Sequence, residues 1–326
     1  MRLLVTGANG FIGKTFSRLA KNKGYQLIRV VRPDATRGEK LGMTKDHDEL
    51  LTISDIGPET EWGGLLAGVD GVVHLAAKVH VTPPECADLA DFRRVNVMGT
   101  ERLVSQAARA GVRHLVFLST VKVNGEKTLG IPFTETIVPT PHDAYGISKW
   151  EAEQALMRIS AETNLEVVVL RSPLAYGPEV KGNFLRLLKL VNAGVPLPLA
   201  QVQNQRSFIY VGNLVDAIIR CIEHPAAAGQ TFLVSDGEDL STPDLILRMG
   251  RALGHPARLW PFPPVLLHVA AKLMGKSADA SRLLCSLQVD SSKISKELGW
   301  KPPYSMDEGL TETAKWFLSQ ARMNAP

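Results

Sequence analysis

The chain has 326 residues, 45% of them hydrophobic and 21% charged, enough apolar material for one large domain or for a domain with a smaller lobe. Lys plus Arg number 37 against 33 for Asp plus Glu, a small basic excess that suits an anionic ligand such as a nucleotide or a diphosphate. No basic run is interleaved with aromatics, and no apolar run reaches the ~20 residues of a membrane span, so nucleic-acid binding and membrane spanning are set aside.

Taken in order, Arg2 to Thr6 reads as a buried strand, followed by a glycine turn and a helix from about Phe11 to Asn22. Gln26 to Val31 reads as a second strand and Gly71 to Leu75 as a third. A helix is expected over Phe92 to Ala110, a strand over Val112 to Ser119, a long helix over Ala144 to Thr163 and a strand over Glu166 to Arg171. Short apolar strands alternating with helical periods predict an α/β fold with a parallel sheet covered on both faces. After about Tyr176 the texture changes to Gly, Pro, short amphipathic helices and isolated strand-like pieces such as Thr231 to Val234. The expected division is therefore a dinucleotide-binding part over 1–175 and a smaller lobe over 176–326, interleaved with the first rather than joined by a linker.

Cys86, Cys221 and Cys285 lie far apart and fit no metal-ligand spacing, so free thiols and no metal are expected. MRLLVTG enters a strand without a signal or transit pattern, which predicts a cytoplasmic protein. The longest apolar stretch, Pro261 to Met274, is interrupted by prolines, His268 and Lys272. It reads as a helix packed over the substrate site, with a partner or membrane-surface patch as the alternative.

The strongest N-terminal signal is Thr6-Gly7-Ala8-Asn9-Gly10-Phe11-Ile12-Gly13, placed between a predicted strand and a predicted helix. Gly7 permits the tight turn, Gly10 lets the backbone approach a pyrophosphate, and Gly13 lets the helix pack closely on the sheet. The helix N-terminus favours the anion. Arg32 stands at the end of the second strand, where a guanidinium pairs well with a 2′-phosphate, so NADP(H) is favoured over NAD(H). Asp34, two residues on, is the alternative and would serve the ribose of NAD. Asp55-Ile56 could frame the adenine, or Asp55 could simply cap a helix. In His74-Leu75-Ala76-Ala77 the small residues allow a flat ring near the backbone, while His74 reads as structural. Lys78 and His80 follow on the same loop, either solvated or touching a ligand.

The decisive constellation is Thr120 with Tyr145 and Lys149. Four residues on a helix put the last two on one face. The ammonium, helped by a nicotinamide charge, would lower the phenol pKa. The phenol would then exchange a proton with a substrate oxygen while hydride moves at the adjacent carbon, and Thr120 would supply a hydroxyl to the same oxygen.

Across these pieces the chain resembles the extended short-chain dehydrogenase/reductases of the sugar-nucleotide epimerase/dehydratase family. The matching residues are TGANGFIG at 6–13, DI at 55–56, HLAA at 74–77, Asn96 in VNVMGT, STVKVNG at 119–125 and YGISK at 145–149. Arg171 with YGP at 176–178, RSFIYVGNLVDA at 206–217 and SKELGW at 295–300 complete the order. The resemblance implies a Rossmann doubly wound sheet and a C-terminal lobe that binds a UDP- or dTDP-sugar. It extends cofactor binding to Asn9, Phe11, Ile12, Leu75, Ala76, Ala77, Lys78, Asn96 and Pro173, beside the glycines, Tyr145 and Lys149. It assigns substrate contacts to Lys78, Thr120, Val121, Asn183 and Arg206, the last gripping the diphosphate bidentately, with Arg282 a second such arginine. Each of the lobe residues has the alternative of a salt-bridged surface group.

Departures narrow the implied activity. The family's 4,6-dehydratases carry an Asp-Glu pair after the catalytic Thr, and this chain has Val121 and Lys122, so dehydration is not expected. The 4-epimerases usually carry an acid where Arg32 stands and an Asn where Leu174 stands. FLSTVKVNGE, VKGNFL and LVSDG are similar to bacterial reductases of surface-polysaccharide synthesis that act on a UDP-4-keto-6-deoxy-N-acetylhexosamine to make UDP-N-acetylquinovosamine. Reduction at C4 is thus the first expectation and UDP-sugar 4-epimerisation with retained NAD the alternative. The family often dimerises through two long helices of each subunit, which implies a homodimer through Phe92 to Ala110 and Ala144 to Thr163.

Overall fold

Leu3, Leu4 and Val5 are completely buried, as a strand covered on both faces requires. The computed structural model describes residues 1–32, 42–43, 49–79, 88–275 and 277–323. Its strands are β1 (Arg2–Thr6), β2 (Gln26–Val31), β3 (Gly42–Met43), β4 (Glu49–Thr52), β5 (Gly71–His74), β6 (His114–Thr120), β7 (Glu166–Ser172), β8 (Leu174–Tyr176), β9 (Arg206–Tyr210), β10 (Thr231–Leu233) and β11 (Asp239–Leu240). The helices are α1 (Phe11–Asn22), α2 (Leu89–Phe92), α3 (Gly99–Arg109), α4 (Ala144–Glu162), α5 (Gly182–Asn192), α6 (Val211–Glu223), α7 (Thr242–Ala252), α8 (Pro264–Leu273), α9 (Ser277–Leu284), α10 (Ser292–Leu298) and α11 (Met306–Met323).

The large sheet runs β10-β7-β6-β5-β1-β2-β4-β3. Every neighbouring pair is parallel except β3 with β4. The chain builds outward from β1 through β2 and β4, then restarts on the other side with β5, so the order reverses between β1 and β5. In such a sheet ligands bind beyond the carboxyl ends of the strands at that reversal. Phe16 and Ala20 of α1 and Leu214, Ile218 and Ile222 of α6 cover one face. Leu103, Val104 and Ala107 of α3, with Ala152, Leu156 and Ile159 of α4, cover the other. The doubly wound α/β architecture expected from the alternation of strands and helices is the one observed.

A second, three-stranded sheet of order β11-β9-β8 lies in a separate apolar cluster with residues of α5, α7 and α11. After contributing β8 and β9 to it, the chain returns to the edge of the large sheet as β10, which pairs in parallel with β7.

The helix expected over Phe92 to Ala110 is present, with one irregularity. Between α2 and α3 the segment Arg93–Met98 is π-helical. Such a wide turn displaces side chains from α-helical register and recurs at functional sites. Here it carries the buried Asn96.

Candidate active site

The turn after β1 is tight because it must pass under the loop after β5. Gly7 adopts a left-handed φ of 69°, and a Cβ there would stand 2.8 Å from the Ala76 amide nitrogen. A Cβ on Gly13 would run into the Gly7 carbonyl and lie 2.7 Å from the Ala8 Cα, so glycine seats α1 on the turn. Gly10 is the N-cap of α1 and supplies no side-chain acceptor, leaving the first-turn amides of Phe11, Ile12 and Gly13 to a ligand or water. Asn9 is exposed on the same turn. A phosphate fits this cradle, since the backbone donors and the helix dipole act on one spot.

Leu75, Ala76 and Ala77 are half-buried beyond β5, and Thr6 Oγ1 accepts from the Ala76 amide at 3.2 Å. His74 is locked between the hydroxyls of Thr6 at 2.6 Å and Thr100 at 2.9 Å. Burial, with the charge of Lys149 adding, pushes its pKa down to about 3. A neutral imidazole with both nitrogens engaged is structural, as the sequence suggested. Ile56 is buried, while Asp55 pairs with Arg94 of the π segment. Arg32 is exposed just past β2. Asp34, His80 and Cys86 lie outside the described residues.

Thr120 ends β6, and its hydroxyl accepts from the Lys122 amide at 3.3 Å at the start of a single 3-10 turn, Val121–Val123. That turn packs on the first turn of α4, for a Cβ on Gly146 would stand 3.0 Å from the Lys122 carbonyl. Lys122 also ion-pairs with Asp143, the N-cap of α4, whose Oδ1 accepts from the Gly146 amide at 2.7 Å. Thr120, Tyr145 and Lys149 are thus assembled where β6 meets α4.

Lys149 is 2% exposed. Its Nζ lies 3.6 Å from the centroid of the Phe117 ring and, among the described residues, has no hydrogen-bond or ion-pair partner. Burial pulls its pKa down to about 7, partly opposed by Glu153. A buried ammonium facing only a ring has all three donors to offer, which fits the hydroxyls of a ribose.

Tyr145 is half-buried, its ring 6.4 Å from that of Phe92. Its phenol is pushed well above the ordinary value by burial first and by Asp143 second. This differs from the expectation that Lys149 would acidify it. The desolvation that raises the phenol also lowers the ammonium, so near neutrality Lys149 is only partly charged, and the polypeptide alone does not produce a phenolate.

Asn96 ties three elements together. Its Oδ1 accepts from the Lys78 amide at 2.8 Å, and its Nδ2 donates to the Lys78 carbonyl and to Ser148 Oγ, both at 3.0 Å. Ser148 in turn donates to the Tyr145 carbonyl at 2.8 Å. Lys78 Nζ pairs with Asp91 at 3.1 Å.

Sequence reasoning missed the support beneath Lys149. Glu153, one turn further along α4, is 2% exposed and accepts from Arg171 Nη2 at 2.7 Å. Ser119 donates to the same carboxylate, and Asn124 Oδ1 accepts from Arg171 Nη1 at 3.2 Å. The spacing Tyr145, Lys149, Glu153 places all three on one helical face and could have revealed Glu153, though not its partners on β6 and β7.

On the second lobe, a cavity of about 700 Å³ is lined by Ala200, Gln201, Val202, Gln203, Asn204, Pro264, Leu284 and Ser286. Beside it Arg206 begins β9, donating to the Cys285 carbonyl at 2.8 Å. Burial lowers its pKa, Cys285 opposes that effect, and the nearby charge of Arg282 adds to it. The two arginines singled out in the sequence are therefore neighbours. Asn183 is exposed in the first turn of α5 and does not line this cavity. Val121 needs correction as a substrate contact. It is 3% exposed and packs with Phe133, Leu233, Leu287 and Val289, so its side chain is spent on the core. Pro173 is buried between β7 and β8.

Among the described residues no cluster of His, Cys, Asp and Glu could hold a metal ion, and no helix is long and apolar enough to cross a membrane.

Residues 3–235 match the model of the NAD dependent epimerase/dehydratase family. The chain is 40% identical over 319 residues to a UDP-glucose 4-epimerase of Vibrio cholerae, covering 97% of this chain and 95% of that protein. It is 26% identical over 336 residues to the N-acetyl-alpha-D-glucosaminyl-diphospho-ditrans,octacis-undecaprenol 4-epimerase of Escherichia coli O157:H7, covering 98% and 96%. Its fold matches that of a Bacillus cereus UDP-glucuronic acid 4-epimerase solved with UDP-glucuronic acid and NAD, with a TM-score of 0.76 at 22% identity and coverage of 98% and 100%.

Proposed function

The chain belongs to the NAD-dependent epimerase/dehydratase family of extended short-chain dehydrogenase/reductases, and from that premise we propose that it transfers hydride at C4 of a UDP-linked hexose or hexosamine. The observation that carries the reading is the β6–α4 junction, where Thr120 ends the strand and α4 carries a half-buried Tyr145 and a buried Lys149 with its donors free among the described residues. A bound nicotinamide supplies the hydride acceptor or donor and, when oxidised, a positive charge. The polypeptide does the rest. The turn amides of residues 11–13 hold the diphosphate, Lys149 donates to ribose hydroxyls, and Asn96 fixes the loop at Lys78. Tyr145 takes the proton from the sugar 4-hydroxyl as C4 is oxidised, or returns it on reduction, and Thr120 holds the same oxygen. Arg206 and Arg282 grip the sugar diphosphate, with its nucleoside in the cavity at Ala200–Asn204.

Of the net reactions that share this step, we put 4-epimerisation with retained NAD first, because the similarity to a UDP-glucose 4-epimerase runs the length of the chain. Net reduction of a UDP-4-keto-6-deoxy-N-acetylhexosamine is the second reading, favoured by the VKVNGE, VKGNF and LVSDG runs and by Arg32, which would suit NADPH. Val121 and Lys122 leave no acid–base pair for dehydration. One experiment separates the two. The purified protein is given UDP-glucose and UDP-N-acetylglucosamine without added reductant, and separately the product of a UDP-N-acetylglucosamine 4,6-dehydratase with NADH or NADPH. C4 epimers formed without net redox support the first reading. Stoichiometric oxidation of reduced nicotinamide by the 4-keto sugar supports the second, and inertness in both arms defeats hydride transfer at C4.

A further inference from the structure

A surface helix normally turns charged and polar residues to water and hides an apolar stripe. Helix α8 does not. Pro264, Leu267 and Ala271 make its inner face, with Leu267 packed on the core of the second lobe. Its outer face presents Val265 (73% exposed), Leu266 (53%), Val269 (50%) and Leu273 (83%). Just upstream, Trp260 is half exposed, with its ring 6.0 Å from that of Phe262.

The charge along this segment is mostly positive: residues 251–284 hold five Lys and Arg against the one acid, Asp279. Residues 251–275 contain Arg251, Arg258 and Lys272, all exposed, and no Asp or Glu. A short helix apolar on its outer side, flanked by cations and led in by a Trp, has the composition of a segment that lies in the headgroup layer of an anionic bilayer. Its ten residues rise about 15 Å, half the hydrocarbon thickness of a membrane, so it can lie in the interface and cannot span it. A protein partner would have to match an apolar ridge in a mostly basic segment, whereas anionic lipid matches both features at once.

We propose that α8 and Trp260 dock this protein on the surface of an anionic phospholipid membrane. Pro264, the first residue of α8, and Leu284, the last of α9, line the cavity beside Arg206, so docking presents that cavity at the lipid–water boundary. The proposal stands independently of the sugar-nucleotide reading, because its test requires no turnover.

The full chain is mixed with vesicles of phosphatidylcholine containing phosphatidylglycerol, and with vesicles of phosphatidylcholine alone, and bound protein is separated by flotation. Binding is expected to the anionic vesicles, to weaken at high salt and to be at least about tenfold stronger than to the neutral ones. The double variant Leu266→Asp/Val269→Asp is expected to lose binding by about tenfold or more. Its thermal unfolding, followed by circular dichroism, confirms that it is folded. As an independent readout, tryptophan emission of the wild type shifts to the blue on adding anionic vesicles, and Trp260→Phe removes the shift. No binding to anionic vesicles overturns the proposal. So does a chain dimer in sedimentation equilibrium that the double variant dissociates while neither form floats, since the face would then cover a second copy.

Discussion

Replacing Lys149 by Met stabilises the fold near neutral pH while removing activity. The ammonium is 2% exposed, faces a ring 3.6 Å away and has its pKa pulled from 10.5 to about 7. Every tenfold loss of proton affinity on folding is worth about 1.4 kcal/mol, so the charged form costs the native state at most about 5 kcal/mol. The cation–ring contact and the packed stem offset part of this, leaving an expected gain of roughly 2–4 kcal/mol for Met. The sign follows from proton counting. Because the folded pKa is the lower one, the native state holds fewer protons than the unfolded chain between about pH 7 and about 10.5. The penalty is therefore fully present below about pH 7 and is relieved as pH rises through that window. Urea unfolding of both proteins at pH about 6.5 and about 9.5, without added nucleotide, reads the effect as a difference that cancels the other titrating groups. The variant should be the more stable at the lower pH, with the gap closing at the higher one. A variant less stable than the wild type near pH 6.5, or two proteins with parallel pH dependence, would refute the reasoning.

Tyr145→Phe lowers turnover by about 10²- to 10⁴-fold in initial-rate assays while its urea midpoint stays near that of the wild type. Asp143→Asn keeps a helix-capping side chain but removes the charge that raises the phenol, so the limb of the rate–pH profile that reports proton acceptance moves to lower pH. Glu153→Gln leaves the Arg171 guanidinium buried without its counter-charge and costs about 3–5 kcal/mol in urea unfolding. Arg206→Ala weakens UDP binding by about 10- to 100-fold in calorimetric titration and leaves NAD binding unchanged.

The pieces legible in the sequence are those whose signal is local. Helix α1 begins and ends where the periodicity from Phe11 to Asn22 placed it, because a strand, a glycine turn and an amphipathic run adjoin one another. Tyr145 and Lys149 could be paired from helical spacing alone. Residues 174–176, three residues between Pro173 and Gly177, are too short for a period of two to stand out, and 206–210 opens on the polar Arg206 and Ser207. The link from Glu153 through Arg171 to Asn124 depends on β7 lying beside β6 beneath α4, which residue spacing does not encode. Val121 follows Thr120 directly and so looked like a site residue, yet the 3-10 turn rotates it into the core while Thr120 stays at the strand end. Nor could periodicity show that the turn carrying Asn96 is π-helical.

Hydride transfer at C4 is tested most directly by following a label. A UDP-hexose deuterated at C4 is incubated with the protein and NAD, and the deuterium is located by mass spectrometry in the sugar, the nicotinamide and the solvent. Retention at C4 of the epimerised sugar, or arrival on the nicotinamide, is the result that the Tyr145–Lys149 site predicts. Deuterium washed out into water would mean that the carbon exchanges a proton instead, and would contradict it.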